Sequence, residues 1–160
     1  MMTQTRLAER LIEATPWGTL CSAGGTGEGV GLALTQLLQS ESPDEAESAY
    51  WRIENHAFIQ EDIYEVAVAC TSVLVASLAD PRESWVRISV LDLVFLILNG
   101  FDSPIEGRTD QLRNRCHQAA REGLWLLVRE AVFGRRDAAL EILELLGEAE
   151  KARRLIGGTD

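Results

Sequence analysis

The chain has 160 residues, of which 46% are hydrophobic and 25% are charged, and its net charge is −10. These proportions are those of a folded globular domain and exclude global disorder. The longest apolar run, Leu93–Leu98, is far too short to cross a bilayer, so we expect one cytoplasmic domain over residues 1–160 and no membrane partner.

Glycine and proline stand where turns are expected, and no segment alternates polar and apolar residues for long enough to predict a strand. A first short helix is predicted over residues 3–14, ending before Pro16. The glycine-rich stretch Gly24–Gly31 then leads into a helix over about 29–39. It lacks the Gly-Lys-Ser/Thr ending of a phosphate-binding loop, so we expect a flexible loop and no nucleotide cofactor.

The tetrad Ser42-Pro43-Asp44-Glu45 predicts the start of the next helix. The serine can accept a hydrogen bond from the third amide, the proline loses no donor at the first position, and the glutamate can reach back. Asp80-Pro81-Arg82-Glu83 repeats the signal further along. Between the two tetrads, apolar residues at steps of three and four predict a long amphipathic helix from Gln60 to Ala79.

The segment 84–98 is apolar on nearly all sides, which predicts a central helix with neighbours in several directions. The tetrad at 103–106 precedes a glycine and predicts only a turn. A helix of about six turns is then expected from Leu112 to Val132, followed by a short partner over 135–146 and a fraying tail.

These helices predict an all-α fold, a short α-solenoid of three antiparallel HEAT-like pairs. The pairs are expected at about 26–56, 59–99 and 110–146. A period near 40 residues is typical of HEAT and armadillo repeats.

The segment Val73–Pro81, followed by Val86-Arg87 and Val90-Leu91, resembles a HEAT repeat. In that family an Asp-Pro pair marks the turn between the two helices, and a Val-Arg pair opens the second helix. The resemblance therefore implies a helix pair joined at Asp80-Pro81.

A broader stretch, Leu34 to Leu78, resembles small bacterial HEAT-like proteins in which a glutamine and a Tyr-Glu pair open a long helix. The matching residues here are Gln60, Tyr64 and Glu65. Proteins of this kind often accompany polymorphic toxins as immunity partners. The resemblance implies protein binding without identifying the partner.

The negative charge is concentrated in the first half of the chain. Residues 1–80 hold twelve acids and three arginines, whereas residues 81–160 hold thirteen acids and twelve basic residues. The nine acids from Glu28 to Glu65 are opposed only by Arg52. A field of one sign attracts basic proteins and repels phosphate backbones.

Aromatic residues lie among these acids, as in interfaces where aromatic side chains supply contact area and charges steer encounter. Trp51 is expected to be an exposed anchor, and Tyr50 to belong to the core. The alternative interpretation is a solubilising face. The predicted partner-binding residues are Glu41, Asp44, Glu47, Trp51, Glu54, Glu61, Asp62 and Glu65.

The arginines and the cysteines point to two other kinds of site. Six arginines in the last third could form a nucleic-acid surface, but acids interleave with them, so an ion-paired helical surface is expected and no nucleic-acid partner. Cys21, Cys70 and Cys116 form no C-x-x-C pair, which predicts three free structural thiols.

A corner made by Glu54, His56, Glu61, Asp62 and Glu65 offers metal-ligand residue types. The favoured interpretation is that acids near Gln60 stabilise the positive end of the next helix, so neither a metal nor a catalytic residue is expected.

The favoured function is a non-catalytic protein-binding module, in its concrete form an immunity protein that neutralises a basic toxin domain through an acidic surface. A structural adaptor without a toxin partner is the alternative. A metal-dependent hydrolase at the His56 corner is the least favoured hypothesis.

Overall fold

The computed structural model describes residues 6–59, 62–102 and 111–157. Most of these residues are helical, which confirms the prediction of an all-α fold. The helices in the described ranges are α1 (Leu7–Ala14), α2 (Glu28–Leu38), α3 (Pro43–Ala57), α4 (Val66–Ser77), α5 (Ser84–Leu98), α6 (Leu112–Arg121), α7 (Leu124–Phe133), α8 (Arg136–Leu146) and α9 (Ala149–Ile156), with one 3-10 turn at Trp17–Thr19. The two-residue strands are β1 (Cys21–Ser22), β2 (Gly25–Thr26), β3 (Phe58–Ile59), β4 (Asp62–Ile63) and β5 (Phe101–Asp102).

The helices pack in pairs around one apolar core. Helix α2 contacts α3, α4 contacts α5, and α7 contacts α8. Helix α5 also contacts α3 and α8, which confirms the central position expected from its sequence. Ile53, Leu74, Leu91, Leu127 and Ile142, from five different helices, are fully buried in the same cluster. Burying each such side chain contributes about 1.5–3 kcal/mol before the entropy of ordering the chain is subtracted.

Helix α3 begins as its sequence predicts. The amide of Glu45 donates to the Ser42 hydroxyl oxygen over 3.2 Å, and the Glu45 carboxylate accepts from the amide of Glu41 over 2.9 Å. Two amides that the helix itself cannot satisfy are thereby paired at its start.

The second tetrad, Asp80-Pro81-Arg82-Glu83, is predicted to cap the next helix, but it forms no such cap. Helix α5 begins at Ser84, and Glu83 precedes it in extended conformation with no side-chain cap. Arg82 instead reaches α1 and pairs with both carboxylate oxygens of Glu9, at 2.7 and 3.0 Å. The Asp80-Pro81 pair lies in the turn between α4 and α5.

The long helix predicted from Gln60 to Ala79 is wrong at its start. Helix α4 begins only at Val66, because β3 and β4 form an antiparallel hairpin at the end of α3, and the Tyr64 amide donates to Ala57 across it. Strand β4 also pairs in parallel with β5. The expectation that no strand forms is therefore wrong for these short pairs, and β1 and β2 form another around the glycine-rich stretch.

The predicted six-turn helix is divided into α6 and α7 at Gly123. A Cβ atom at Gly123 would overlap the Val75 side chain of α4, so the chain makes a close approach that an ordinary helical residue could not. The fraying tail is also wrong: after Gly147, whose φ is 73°, α9 forms and buries Ala149 and Ala152. Residues 3–5, Gln60 and the tetrad at 103–106 lie outside the described residues.

Candidate partner-binding groove

Helices α3 and α5 leave an open groove of about 400 Å³ between them. On each helix the lining residues recur at steps of three and four, which places them on one face. The lining residues are Pro43, Ala46, Glu47, Tyr50 and Trp51 from α3, and Trp85, Ile88, Ser89 and Asp92 from α5. We call this feature the α3–α5 groove.

Large apolar side chains in the groove remain in contact with solvent. Trp51 is 49% exposed and Ile88 is 46% exposed. The Trp51 ring stands edge-on to the Tyr50 ring at a centroid distance of 5.3 Å. Trp85 is half-buried, and its indole N–H donates to the Ser40 hydroxyl over 3.2 Å. The exposure expected of Trp51 is confirmed, while Tyr50 is only half-buried and lines the groove.

Carboxylates accompany these apolar side chains. The Tyr50 hydroxyl donates a hydrogen bond to Asp92. One carboxylate oxygen of Glu54, Oε2, is buried and has no hydrogen-bond partner within the described part of the chain. Burial first, and then the charge of Asp92, raise the pKa of Glu54 above its ordinary value of 4.5. Burial and the hydrogen bond to Asp92 likewise raise the pKa of the Tyr50 hydroxyl.

No arginine or lysine within the described ranges forms an ion pair with Glu47, Glu54 or Asp92. The ion pairs found there are Arg82–Glu9, Arg87–Glu130, Lys151–Glu148 and Arg153–Glu144. The negative charge of the groove is thus available to a cation from outside the chain.

The predicted binding residues do not form one continuous surface. Asp44, Glu47, Trp51 and Glu54 follow one another at helical steps along α3, so they share the face that borders the groove. Glu41 lies on another side, in a cavity that it shares with Glu45 and Arg52 next to α2.

The remaining predicted residues lie beyond the end of α3. The Glu65 carboxylate accepts a hydrogen bond from the Cys21 amide over 3.2 Å, so it anchors the β1–β2 hairpin. Asp62 belongs to β4, where it stands opposite Ile59 and Phe101. Glu61 lies outside the described residues.

The wall that α5 contributes to the groove was not among the sequence-based predictions. Trp85, Ile88 and Asp92 were assigned to a helix buried on nearly all sides, yet they form one wall of the groove. The signal that could have found them is the polar Ser89 and Asp92 at the helical spacing of Trp85 and Ile88, which marks a partly solvated stripe.

The His56 corner gains no support. Among the described residues, no group of three His, Cys, Asp or Glu side chains is placed to hold a metal ion. His56 is exposed, and its Nδ1 lies 3.4 Å from the Ala23 carbonyl oxygen. Glu61, which belongs to the hypothesis, is outside the described residues.

The sequence predicts ion pairs between the arginines of the last third and the acids interleaved with them. Several of these arginines instead donate hydrogen bonds to backbone carbonyl oxygens and so stabilise the fold. Glu130, one of the interleaved acids, pairs instead with Arg87 of α5 and is 1% exposed. Arg121 and Arg129 donate to the carbonyl oxygens of Leu146 and Leu78. Because these guanidinium groups are engaged inside the chain, they are poorly placed to bind phosphate.

Two further observations concern the whole chain. Cys70 and Cys116 are buried, as expected of structural cysteines, whereas Cys21 is exposed. In the ranges that the structure describes, no helix has the length and apolar character needed to span a bilayer.

Comparison of the chain with models of known protein families, with curated proteins and with solved structures found no match. We therefore infer the function from the geometry and charge of the α3–α5 groove.

Proposed function

We propose that this protein is a non-catalytic binding module that holds a basic partner protein against the α3–α5 groove. In this proposal the fold is a short α-solenoid of HEAT-like pairs, α2–α3, α4–α5 and α7–α8. The contacts of α5 with both α3 and α8 support it, since the second helices of successive repeats stack on one another. The turn at Asp80-Pro81 between α4 and α5 also fits a HEAT-like pair.

The observation that carries the proposal is the combination of exposed apolar side chains with unpaired carboxylates in one groove. Trp51 and Ile88 provide the kind of apolar contact area from which interfaces gain most of their energy. Glu47, Glu54 and Asp92 provide negative charge that would favour a basic partner and speed its encounter.

The concrete form of the proposal is an immunity protein that neutralises a cationic toxin domain. The net charge of −10 and the resemblance of Leu34–Leu78 to small bacterial HEAT-like proteins support this form. Toxin domains that act on nucleic acids need a basic surface to hold phosphate, and an acidic groove is complementary to such a surface.

The test measures binding to the product of the gene adjacent to the one that encodes this chain. Trp51→Ala is expected to weaken the affinity about thirtyfold or more, because the loss of a central aromatic anchor costs about 2 kcal/mol or more. Raising the salt concentration from about 50 to about 500 mM is expected to weaken binding as well, because salt screens the attraction between the carboxylates and a basic partner.

Trp125→Ala is the matched control, since Trp125 is a tryptophan of α7 that is 64% exposed and lies outside the groove. Equal losses from Trp51→Ala and Trp125→Ala, or no loss from either, would refute the groove as the binding site. An affinity unchanged by salt would refute the electrostatic part.

The adaptor remains the second candidate, because α7 carries exposed apolar side chains away from the groove. Trp125 and Phe133 are 64% and 86% exposed. An adaptor needs two binding faces, and these residues would supply the second. Cells carrying the adjacent effector distinguish the two functions: an immunity protein protects them, whereas an adaptor does not.

A further inference from the structure

Glu54 lies one helical turn beyond Tyr50 and Trp51 on α3, at the border of the α3–α5 groove, and its half-buried carboxylate lacks a donor among the described residues. Glu54 Oε2 is shielded from solvent and has no hydrogen-bond partner in the described ranges. A buried carboxylate oxygen without a donor is unfavourable, and more so when the group is ionised. A cation from a partner, placed against this half-buried carboxylate, would offset its charge.

A second carboxylate stands across from it on α5. Asp92 Oδ2 accepts a hydrogen bond from the Tyr50 hydroxyl. A carboxylate has further lone pairs that can accept from other donors. Arg135 lines a neighbouring cavity together with Ile88 and Asp92, but it makes no ion pair with Asp92. The charge of Asp92 is therefore unneutralised on the side that faces α3.

The walls beside these carboxylates are aromatic and aliphatic. Trp51 exposes an indole ring, and Ile88 exposes its side chain on the opposite wall. A groove of about 400 Å³ lies near the lower end of the range of ligand sites, so it suits one or two side chains rather than a whole element of structure. Aromatic faces attract cations, and apolar walls accept a hydrocarbon stem.

Resting on the function proposed above, we infer that the partner inserts an arginine side chain into the α3–α5 groove, with its stem on Trp51 and Ile88 and its guanidinium at Glu54 and Asp92. Arginine fits this site better than lysine, because a guanidinium is weakly hydrated, stacks on aromatic rings and offers several donors in one plane. A lysine ammonium would have to lose a tightly held hydration shell to enter the same half-buried position.

The test uses two synthetic peptides that differ in one residue, Ac-Ser-Leu-Arg-Leu-Ser-NH2 and the same peptide with citrulline, a neutral isostere, in place of arginine. The full chain, labelled with nitrogen-15, is titrated with each peptide. The indole N–H signals are followed by NMR after assignment with Trp51→Phe and Trp125→Phe. The arginine peptide is expected to shift the Trp51 signal and leave the Trp125 signal in place, whereas citrulline shifts neither.

Two substitutions with the same change of charge test the carboxylate. Glu54→Gln is expected to weaken binding of the arginine peptide about fivefold or more, as loss of a charged hydrogen bond does. Glu41→Gln, in a cavity on another side of α3, is expected to change it less than twofold. Thermal unfolding of both variants establishes that each is folded.

Equal binding of the citrulline peptide, equal losses from Glu54→Gln and Glu41→Gln, or an unmoved Trp51 signal would overturn the arginine assignment. A lysine version of the peptide that binds as tightly as the arginine version would overturn the preference for guanidinium. The proposed function fails separately: if the adjacent gene product needs Trp51 but not Glu54, the binding groove stands and only the arginine inference falls.

Discussion

The Tyr50 hydroxyl on α3 donates a hydrogen bond to the Asp92 carboxylate on α5, so a single contact joins two helices and spans the groove between them. The hydrogen bond holds the phenol beside the exposed Trp51 ring and orients Asp92. It therefore links the stability of the helix packing to the shape of the binding surface.

Removal of that hydroxyl is expected to destabilise the chain modestly. Tyr50→Phe should lower the free energy of unfolding by about 1.5–3 kcal/mol, the range for a hydrogen bond to a charged group. Urea unfolding measures the change. Tyr64→Phe is the matched control, because Tyr64 is also partly buried but its hydroxyl has no hydrogen bond in the described ranges. Equal losses from the two variants would contradict a specific role for the Tyr50–Asp92 bond.

The raised pKa of Glu54 predicts how stability changes with pH. Burial and the charge of Asp92 make the protonated form of Glu54 preferred in the folded chain relative to the unfolded chain. The contribution of Glu54 to the free energy of unfolding is fully present below the ordinary pKa of 4.5. It is lost as the pH rises through the pKa that Glu54 has in the folded chain.

The glutamine side chain in Glu54→Gln is uncharged at every pH. The free energy of unfolding of this variant, relative to that of the natural chain, should therefore increase as the pH rises from acid to neutral. Chemical unfolding at a series of pH values measures the difference. Glu41→Gln controls for the loss of one negative charge. A difference that stays constant with pH would contradict the raised pKa.

The Glu9–Arg82 pair has the opposite dependence on pH. Burial alone would raise the pKa of Glu9, but the hydrogen bonds and charge of Arg82 outweigh it and hold the pKa below 4.5. The pair's contribution to the free energy of unfolding is therefore complete above the ordinary pKa of Glu9. It is lost as the pH falls through the lower pKa that Glu9 has in the folded chain.

Glu9→Gln is expected to lower the free energy of unfolding at neutral pH by about 2–4 kcal/mol, because the Arg82 side chain is only 2% exposed and would remain as an uncompensated charge. The loss should shrink in acid. Glu148→Gln, which removes the more exposed pair with Lys151, should cost less than about 1 kcal/mol and serves as the control. Similar losses in the two variants would argue against a buried tie between α1 and the α4–α5 turn.

Gly123 is expected to tolerate no side chain. Gly123→Ala should lower the free energy of unfolding by about 1–3 kcal/mol, because the new methyl group would overlap Val75 in the core. Since the φ of Gly123 is −112°, the loss would be steric rather than conformational. Thermal or urea unfolding measures it, and adding Val75→Ala should recover part of it.

Gly29→Ala provides the comparison, since a Cβ atom there meets nothing within 4 Å and alanine favours the helix. It is expected to leave stability unchanged or raise it by up to about 1 kcal/mol. If Gly123→Ala were as harmless as Gly29→Ala, the close approach of Val75 would not be what requires glycine between α6 and α7.

The sequence predicted the features that depend on neighbours within a turn or two. Ser42 and Glu45 are three residues apart, and their hydrogen bonds start α3 where the tetrad indicates. The spacing of Asp44, Glu47, Trp51 and Glu54 likewise places them on one face of α3, and the exposure of Trp51 followed from its position off the apolar face. Capping and periodicity are local interactions, so the order of residues is enough to indicate them.

Contacts between distant segments decided the rest. Val75 from α4 lies so close to Gly123 that no side chain fits between α6 and α7, and β5 joins a hairpin formed much earlier in the chain. Trp85, Ile88 and Asp92 face a groove because α3 covers one side of α5 and leaves this stripe open. An apolar helix has the same sequence whichever of its faces is buried, and only the packing of its neighbours determines which face remains in water.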